Sequence, residues 1–208
     1  MPRNNFILAL HSTNDNFGFA YKRINAVQDK PKIFTKKFEK NLTNNIIYDL
    51  REFLPTRSFN EIQRISISLG PANFNASRLI VVLARTISQQ INCSLDSYSS
   101  FKLMAKRIAI KNNHFRNNQS FWITKKLRNK GYLCGKYQIF WNNKVTIKEL
   151  IKPDLFSQFP EGCIHFEVEE NIKDDLQELI LYSLDNHKKS VINKWEDVLP
   201  IYPFSPTN

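Results

Sequence analysis

Three cysteines in 208 residues, Cys93, Cys134 and Cys163, are too few, odd in number and too widely spaced for a disulfide framework. No Cys-x-x-Cys pair is present, so a cysteine zinc site is not expected, and a reducing compartment fits best. Long hydrophobic runs are missing as well. The longest, Leu79–Ala84, is far short of the roughly 20 residues that a spanning helix needs. Near the N-terminus, Arg3 precedes only the short apolar stretch Phe6–Leu10, which is less than a secretory signal requires. The expectation is a cytoplasmic protein without a membrane partner. No Walker-type Gly-x-x-x-x-Gly-Lys, no His-Glu-x-x-His and no His-x-x-x-His occurs, and His11, His114, His165 and His187 are scattered. Neither a P-loop nor a helix-borne metal pair is therefore expected. His165, Glu167 and Glu169 share one strand face, but three consecutive positions of one strand seldom converge on one ion, so an exposed polar face is the better reading.

What is present suffices for a real core. Hydrophobic residues make up 42% of the chain and aromatics 12%, too much for a disordered polymer. The net charge of +11 is unevenly placed. Residues 101–150 carry twelve Lys/Arg against one Asp/Glu, whereas residues 151–208 carry five against eleven. A basic middle followed by an acidic end suits a polyanionic partner, or a basic face that the chain's own acidic end partly neutralises.

The periodicity opens with three strands. Phe6–Leu10 is a continuous apolar run, Phe17, Phe19 and Tyr21 alternate with small or polar residues, and Ile33–Phe38 follows. Leu42–Leu54 changes to a helical period, with Asn41 or Thr43 as cap and Pro55 as stop. Ile65, Ile67 and Leu69 alternate as a further strand that Gly70-Pro71 breaks. Phe74–Ile91 is the longest amphipathic segment. Its apolar half holds Phe74, Ala76, Ile80, Val81, Leu83, Ala84, Ile87 and Ile91, yet Leu79 and Val82 fall in the polar half beside Arg78 and Thr86. A helix packed on one sheet needs one stripe. Leu79 and Val82 therefore suggest a second contact, against another helix or another chain, unless they are single surface hydrophobes. A helix over Ser99–Ile110, strands at Phe121–Leu127, Tyr132–Trp141, Lys144–Ile147 and Ile164–Val168, and a helix marked by Ile172, Leu176, Leu179, Ile180 and Ser183 complete the pattern. Turns fall around Asn129-Lys130-Gly131 and Asn142-Asn143, and prolines keep the stretch from Pro200 to Pro206 extended. The class is α/β with mixed sheets.

Lys106, Arg107, Lys111, Arg116, Lys125, Lys126 and Arg128 are interleaved with Phe115, Phe121, Trp122 and Tyr132, a mixture suited to RNA backbone and unstacked bases. Strand alternation would bury many of these aromatics, and core packing is the preferred reading for Trp122.

Three stretches, in order, resemble the TsaB (YeaZ) family of threonylcarbamoyladenosine biosynthesis proteins. Ile7-Leu8-Ala9-Leu10-His11-Ser12-Thr13 is similar to the family's Ile-Leu-Ala-Ile-Asp-Thr-Ser. In Gly70-Pro71-Ala72-Asn73-Phe74-Asn75-Ala76-Ser77-Arg78, four residues (Gly70, Pro71, Phe74 and Arg78) match Gly-Pro-Gly-Ser-Phe-Thr-Gly-Leu-Arg. Pro200-Ile201-Tyr202 is similar to a C-terminal Pro-Val-Tyr. Most of the likeness lies in residues 1–105.

The resemblance implies an actin-like ATPase (ASKHA) fold with two related lobes, each a mixed sheet flanked by helices: an N-terminal lobe over 1–98 and a smaller, divergent lobe over 99–208. It implies a non-catalytic subunit that pairs with a TsaD-type transferase acting on adenosine 37 of tRNA, or with a second copy of itself. A TsaE-type ATPase is a further implied partner, and tRNA is met through the complex. Leu79, Val82, Arg78 and Thr86 would belong to the interface, and Lys106, Arg107, Lys111, Arg116, Lys125, Lys126 and Arg128 are candidates to touch RNA.

The sequence departs from the family at His11, which replaces its first-strand Asp. It departs again at Ala72, Asn73, Asn75, Ala76 and Ser77, where the loop loses glycines, and at Lys126-Leu127-Arg128, where the family often has Asp-Ala-Arg. An imidazole does not replace a carboxylate in organising a metal–phosphate site, and a glycine-poor loop approaches phosphate less closely. No catalytic residue, cofactor or metal is therefore assigned. His11 reads as a structural histidine, and Gly70-Pro71 as a tight strand-to-helix turn rather than an anion cradle. The alternatives are an RNA-binding module outside this pathway and, less favoured, an actin-like nucleotide hydrolase or metallopeptidase.

Overall fold

The structure, a computed structural model, describes residues 5–26, 28–38, 42–112, 114–128, 130–142, 144–159 and 162–201. The side chain of Thr43, the residues Asn41, Asn129 and Asn143, and the segment from Tyr202 onward lie outside that description. The contacts divide the chain into two compact units. One is formed by residues up to Tyr98 together with Asn171–Pro200; the other starts at Ser99 and runs to Glu170. The sequence reading placed everything after residue 98 in one lobe. The return of residues 171–200 to the first unit corrects that, and its cause is the packing of their helix on the first sheet.

The first unit is built on a five-stranded mixed sheet. Strands β1 (Phe6–Ser12), β2 (Asn16–Arg23) and β3 (Lys32–Lys37) form an antiparallel meander, and β4 (Ile62–Ser68) and β5 (Ser94–Tyr98) add on in parallel. The spatial order is β3-β2-β1-β4-β5. Alternation gives the sheet two different faces. Leu8, Leu10, Phe17, Phe19, Ile65, Ile67 and Leu95 point into one core. That core is closed by Ile46, Leu50 and Leu54 at and just beyond helix α1 (Leu42–Phe53), and by Ile80, Val81 and Ala84 of helix α2 (Phe74–Ile91).

The other face carries His11, Gly18, Arg64, Ser66, Ser68 and Asp96, all buried. Helix α4 (Ile172–Lys188) lies against it, packing on β1, β2 and β4. Close approach depends on Gly18. A Cβ there would stand 2.6 Å from the Phe34 carbonyl oxygen and 2.9 Å from Leu176 Cδ1. The short β5 went unread in the sequence because Ser94-Leu95-Asp96-Ser97-Tyr98 has one fully apolar core residue, and its Asp96 is buried only through partners far along the chain.

The second unit is a four-stranded mixed sheet, in the order β8-β7-β6-β9, with helix α3 (Ser100–Lys111) packed on β7 and β8. Its strands are β6 (Ser120–Leu127), β7 (Gly131–Asn142), β8 (Lys144–Phe156) and β9 (His165–Glu167). β8 runs nine residues beyond the expected end at Ile147. It is an edge strand, where Pro153 and a run of charged residues are tolerated. Phe101, Met104, Ile108, Phe121, Ile123 and Tyr137 form the core of this unit.

Candidate functional site

Helix α2 begins where β4 stops. Gly70 turns the chain with φ of +92°, a region that favours glycine, and Asn73 caps the helix by accepting a hydrogen bond from the Ala76 backbone N–H at 3.2 Å. The helix supplies its own acceptor at the position where an anion would sit, so the geometry is that of a capped strand-to-helix turn.

His11 is 1% exposed at the end of β1. Its Nε2 lies 3.3 Å from Asp175 Oδ2, and Asp175 is wholly buried on α4. The sequence reads His11 as a structural histidine, and the carboxylate that faces it comes from 164 positions further along the chain. A general base must reach substrate, and this pair is sealed beneath a helix. It is a close polar contact between β1 and α4 and not a hydrogen bond.

A second polar cluster fastens the same helix across the sheet. The Arg64 guanidinium donates to Asp96 at 2.9 Å from Nε and 2.8 Å from Nη2, and its Nη1 donates to the Val191 carbonyl at 2.7 Å. Asp96 also accepts from Asn186 at 2.9 Å, from Asn193 at 2.6 Å and from the Ser183 hydroxyl. Burial alone would raise the Asp96 pKa; Arg64 and the three neutral donors outweigh it and hold the carboxyl below the usual range. Beside it, burial foremost and the Asp96 charge second push the Tyr98 hydroxyl upward.

The opposite face, covered by α1 and α2, presents the residues expected at an interface. Arg78, Val82 and Thr86 are exposed at i, i+4 and i+8, one line along α2. Val82 is 53% exposed. Leu79 does not share that line: it is half-buried against the first core, so the apolar part of the α2 surface narrows to Val82. Helix α1 adds Tyr48, 64% exposed, and Ile47, which the sequence reading put on the apolar face with Ile46, Leu50, Phe53 and Leu54 but which is 53% exposed. Tyr48 falls off the Ile46–Leu50–Leu54 stripe and its signal was available, whereas Ile47 lies within about 20° of Leu54 on the wheel and gave none. Arg85 of α2 is half-covered. Its Nη1 donates to the Val198 carbonyl at 3.3 Å, and its guanidinium lies 5.5 Å from the centre of the Trp195 ring.

In the second unit the basic residues have different surroundings. Lys111 pairs with Glu169 at 2.7 Å, and Arg107 donates to the Glu169 backbone carbonyl, so the acidic stretch engages part of the basic one. Lys106 and Lys125 are half-buried, while Arg116, Lys126 and Arg128 are exposed. Trp122 is 7% exposed in the sheet, with Lys136 Nζ 5.7 Å from its ring centre. Glu149 gathers the Tyr137 hydroxyl at 3.2 Å and the Ser99 hydroxyl, which ties the start of α3 to β7 and β8. Burial lowers the neighbouring Lys102 pKa, with Glu149 opposing. Among the described residues, no group of three His, Cys, Asp or Glu side chains is placed to hold a metal ion, and no helix is long and apolar enough to cross a membrane.

The mixed sheets flanked by helices define the class, an α/β fold shared with YeaZ proteins. YeaZ from Pseudomonas aeruginosa superposes with a TM-score of 0.65 over 95% of this chain and 99% of its own, at 13% identity. A second solved structure, of a protein with similarity to peptidase YeaZ from Pseudomonas aeruginosa, gives a TM-score of 0.67 over 96% and 100%, at 12% identity. No family model matches the chain. Within the class, a curated protein is similar in sequence: the tRNA threonylcarbamoyladenosine biosynthesis protein TsaB of Buchnera aphidicola subsp. Acyrthosiphon pisum, 26% identical over 72% of this chain and 70% of its own. The chain is thus similar in sequence to a TsaB protein and similar in fold to YeaZ.

Proposed function

We propose that this chain is a non-catalytic subunit of the machinery that makes threonylcarbamoyladenosine at position 37 of tRNA, and that it binds and supports a TsaD-type transferase. The likeness to the Buchnera TsaB supports the pathway. The observation that supports docking is the surface of α1 and α2. Two helices covering one sheet face each leave large apolar side chains outward, Ile47 and Tyr48 on one and Val82 on the other, with Arg78 and Thr86 flanking Val82. The non-catalytic reading draws on His11. It stands where the family has a carboxylate, and α4 seals it from solvent. The self-capped turn at Asn73 adds to that.

Isothermal titration of the chain against the transferase tests the proposal. Val82→Asp places a carboxylate in a desolvated contact and is expected to weaken binding by more than about ten-fold. Unchanged affinity would remove α2 from the interface. Magnesium-dependent ATP hydrolysis by the pure chain would overturn the non-catalytic assignment.

A further inference from the structure

At the end of the first sheet remote from the Gly70 turn lies a cleft of about 790 Å³. Register fixes its position: Phe6 of β1 pairs with Arg23 of β2 and with Ile62 of β4, so the cleft opens at the start of β1 and β4, whereas Gly70 follows the end of β4. Five cations line it against two carboxylates, Asp29 and Glu61. The cations come from three separate places: the end of β2, the β2–β3 connection with the start of β3, and the 3-10 turn at Thr56–Glu61.

Two of these cations are held by rings. Phe6 and Tyr21 meet edge to face at 5.5 Å; Arg23 lies 6.0 Å from the Phe6 ring centre and Lys32 Nζ lies 5.6 Å from that of Tyr21. The rings fix the two side chains along the wall of the cleft. Among the described residues, no carboxylate stands within ion-pair distance of Arg23, Lys30, Lys32 or Arg57, and all four are exposed.

We propose that this cleft binds the phosphodiester backbone of RNA. A single small anion calls for buried donors converging on one point. Here exposed cations are spread along an open trough, the arrangement that neutralises successive phosphates and releases their counterions. Phe6 is buried and both rings are covered by cations, so no face is offered for base stacking, and binding is sequence-tolerant. The choice of RNA over other nucleic acids rests on the functional reading above; the electrostatic match does not.

The test is fluorescence anisotropy of the full chain with a fluorescein-labelled single-stranded RNA over a series of potassium chloride concentrations. Each phosphate contact is worth roughly five-fold in affinity near ~0.1 M salt. Lys32→Gln with Arg57→Gln is therefore expected to weaken binding roughly 25-fold and to flatten the log–log salt slope by about 1.4. Lys173→Gln with Lys188→Gln, exposed on α4 and outside the cleft, is expected to leave affinity unchanged. If the first pair disturbs the circular dichroism spectrum, Lys30→Gln with Arg57→Gln reads the same charges without touching the Tyr21 stack. No effect from the cleft variants overturns the proposal, as does an equal loss of binding on changing Lys173 and Lys188. Tighter binding of polyglutamate than of RNA at equal charge would assign the cleft to an acidic protein segment and overturn it too. The cleft variants should keep their grip on the transferase and Val82→Asp should keep its grip on RNA, so this claim and the docking claim fail separately.

Discussion

Truncating Asp96 to alanine removes the acceptor for donors from four side chains: two nitrogens of Arg64, the amides of Asn186 and Asn193, and the Ser183 hydroxyl. The guanidinium of Arg64, a residue 4% exposed, then keeps its hydrogen bond to the Val191 carbonyl but has lost its carboxylate. Breaking a buried ion pair from one side leaves an uncompensated charge and costs about 3–5 kcal/mol, a large share of the ~5–15 kcal/mol that holds a domain folded. Urea unfolding followed by far-ultraviolet circular dichroism measures the loss. Hydrogen exchange should show α4 and the segment after it opening more readily than α2, because Asp96 binds Ser183, Asn186 and Asn193 directly. Adding Arg64→Met should recover part of the loss, since no unpaired charge then remains. The pH dependence has a definite sign. The folded-state pKa of Asp96 is depressed, so its stabilisation is present above the unfolded value of about 3.9 and disappears as pH falls through the folded one. A loss below ~1 kcal/mol in Asp96→Ala would refute the view that this cluster fastens α4 to the sheet.

Three other outcomes follow from particular contacts. Val82→Asp should change stability by no more than about 0.5 kcal/mol, whereas Leu79→Asp, which puts a carboxylate against the first core, should cost about 2 kcal/mol or more; equal effects in urea titrations would contradict the placement of the two side chains. Gly18→Val should destabilise by more than about 1–3 kcal/mol, because its Cβ meets a backbone carbonyl that cannot swing away; a melting temperature like that of the unmodified chain would contradict that packing. Burial pushes the Cys93 and Cys134 thiols up to about 11, leaving ~0.1% thiolate at pH 8, so exposed Cys163 should be alkylated first by iodoacetamide and the other two only on unfolding, as peptide mass spectrometry would show.

Much of the fold was legible because it is local. Helix α2 spans Phe74–Ile91 as its period indicates, since an eighteen-residue stripe bounded by Asn73 and Asn92 leaves little freedom. The opening meander and the β6–β7 hairpin are alternations that any window reveals. What escaped is non-local. Strand β5 carries a buried Asp whose partner lies 32 positions earlier, and His11 meets Asp175 across most of the chain. Helix α4 was readable as a helix, but its return to the first unit depends on a sheet face of small and polar residues, Gly18, Ser66 and Ser68 among them, that looks like surface in sequence. Leu79 shows the limit of a helical wheel. The angle of a side chain is fixed by sequence, whereas the width of what covers it depends on the neighbours that pack beside the helix.

The most direct measurement is threonylcarbamoyladenosine formation on unmodified tRNA, read by mass spectrometry of the nucleosides, with a TsaD-type transferase supplied with its threonylcarbamoyl donor. Adding this chain should raise conversion of adenosine 37, and the Val82→Asp variant, folded as before, should fail to do so. Equal conversion with the chain, without it and with the variant would contradict the claim that α1 and α2 form a docking face for that enzyme.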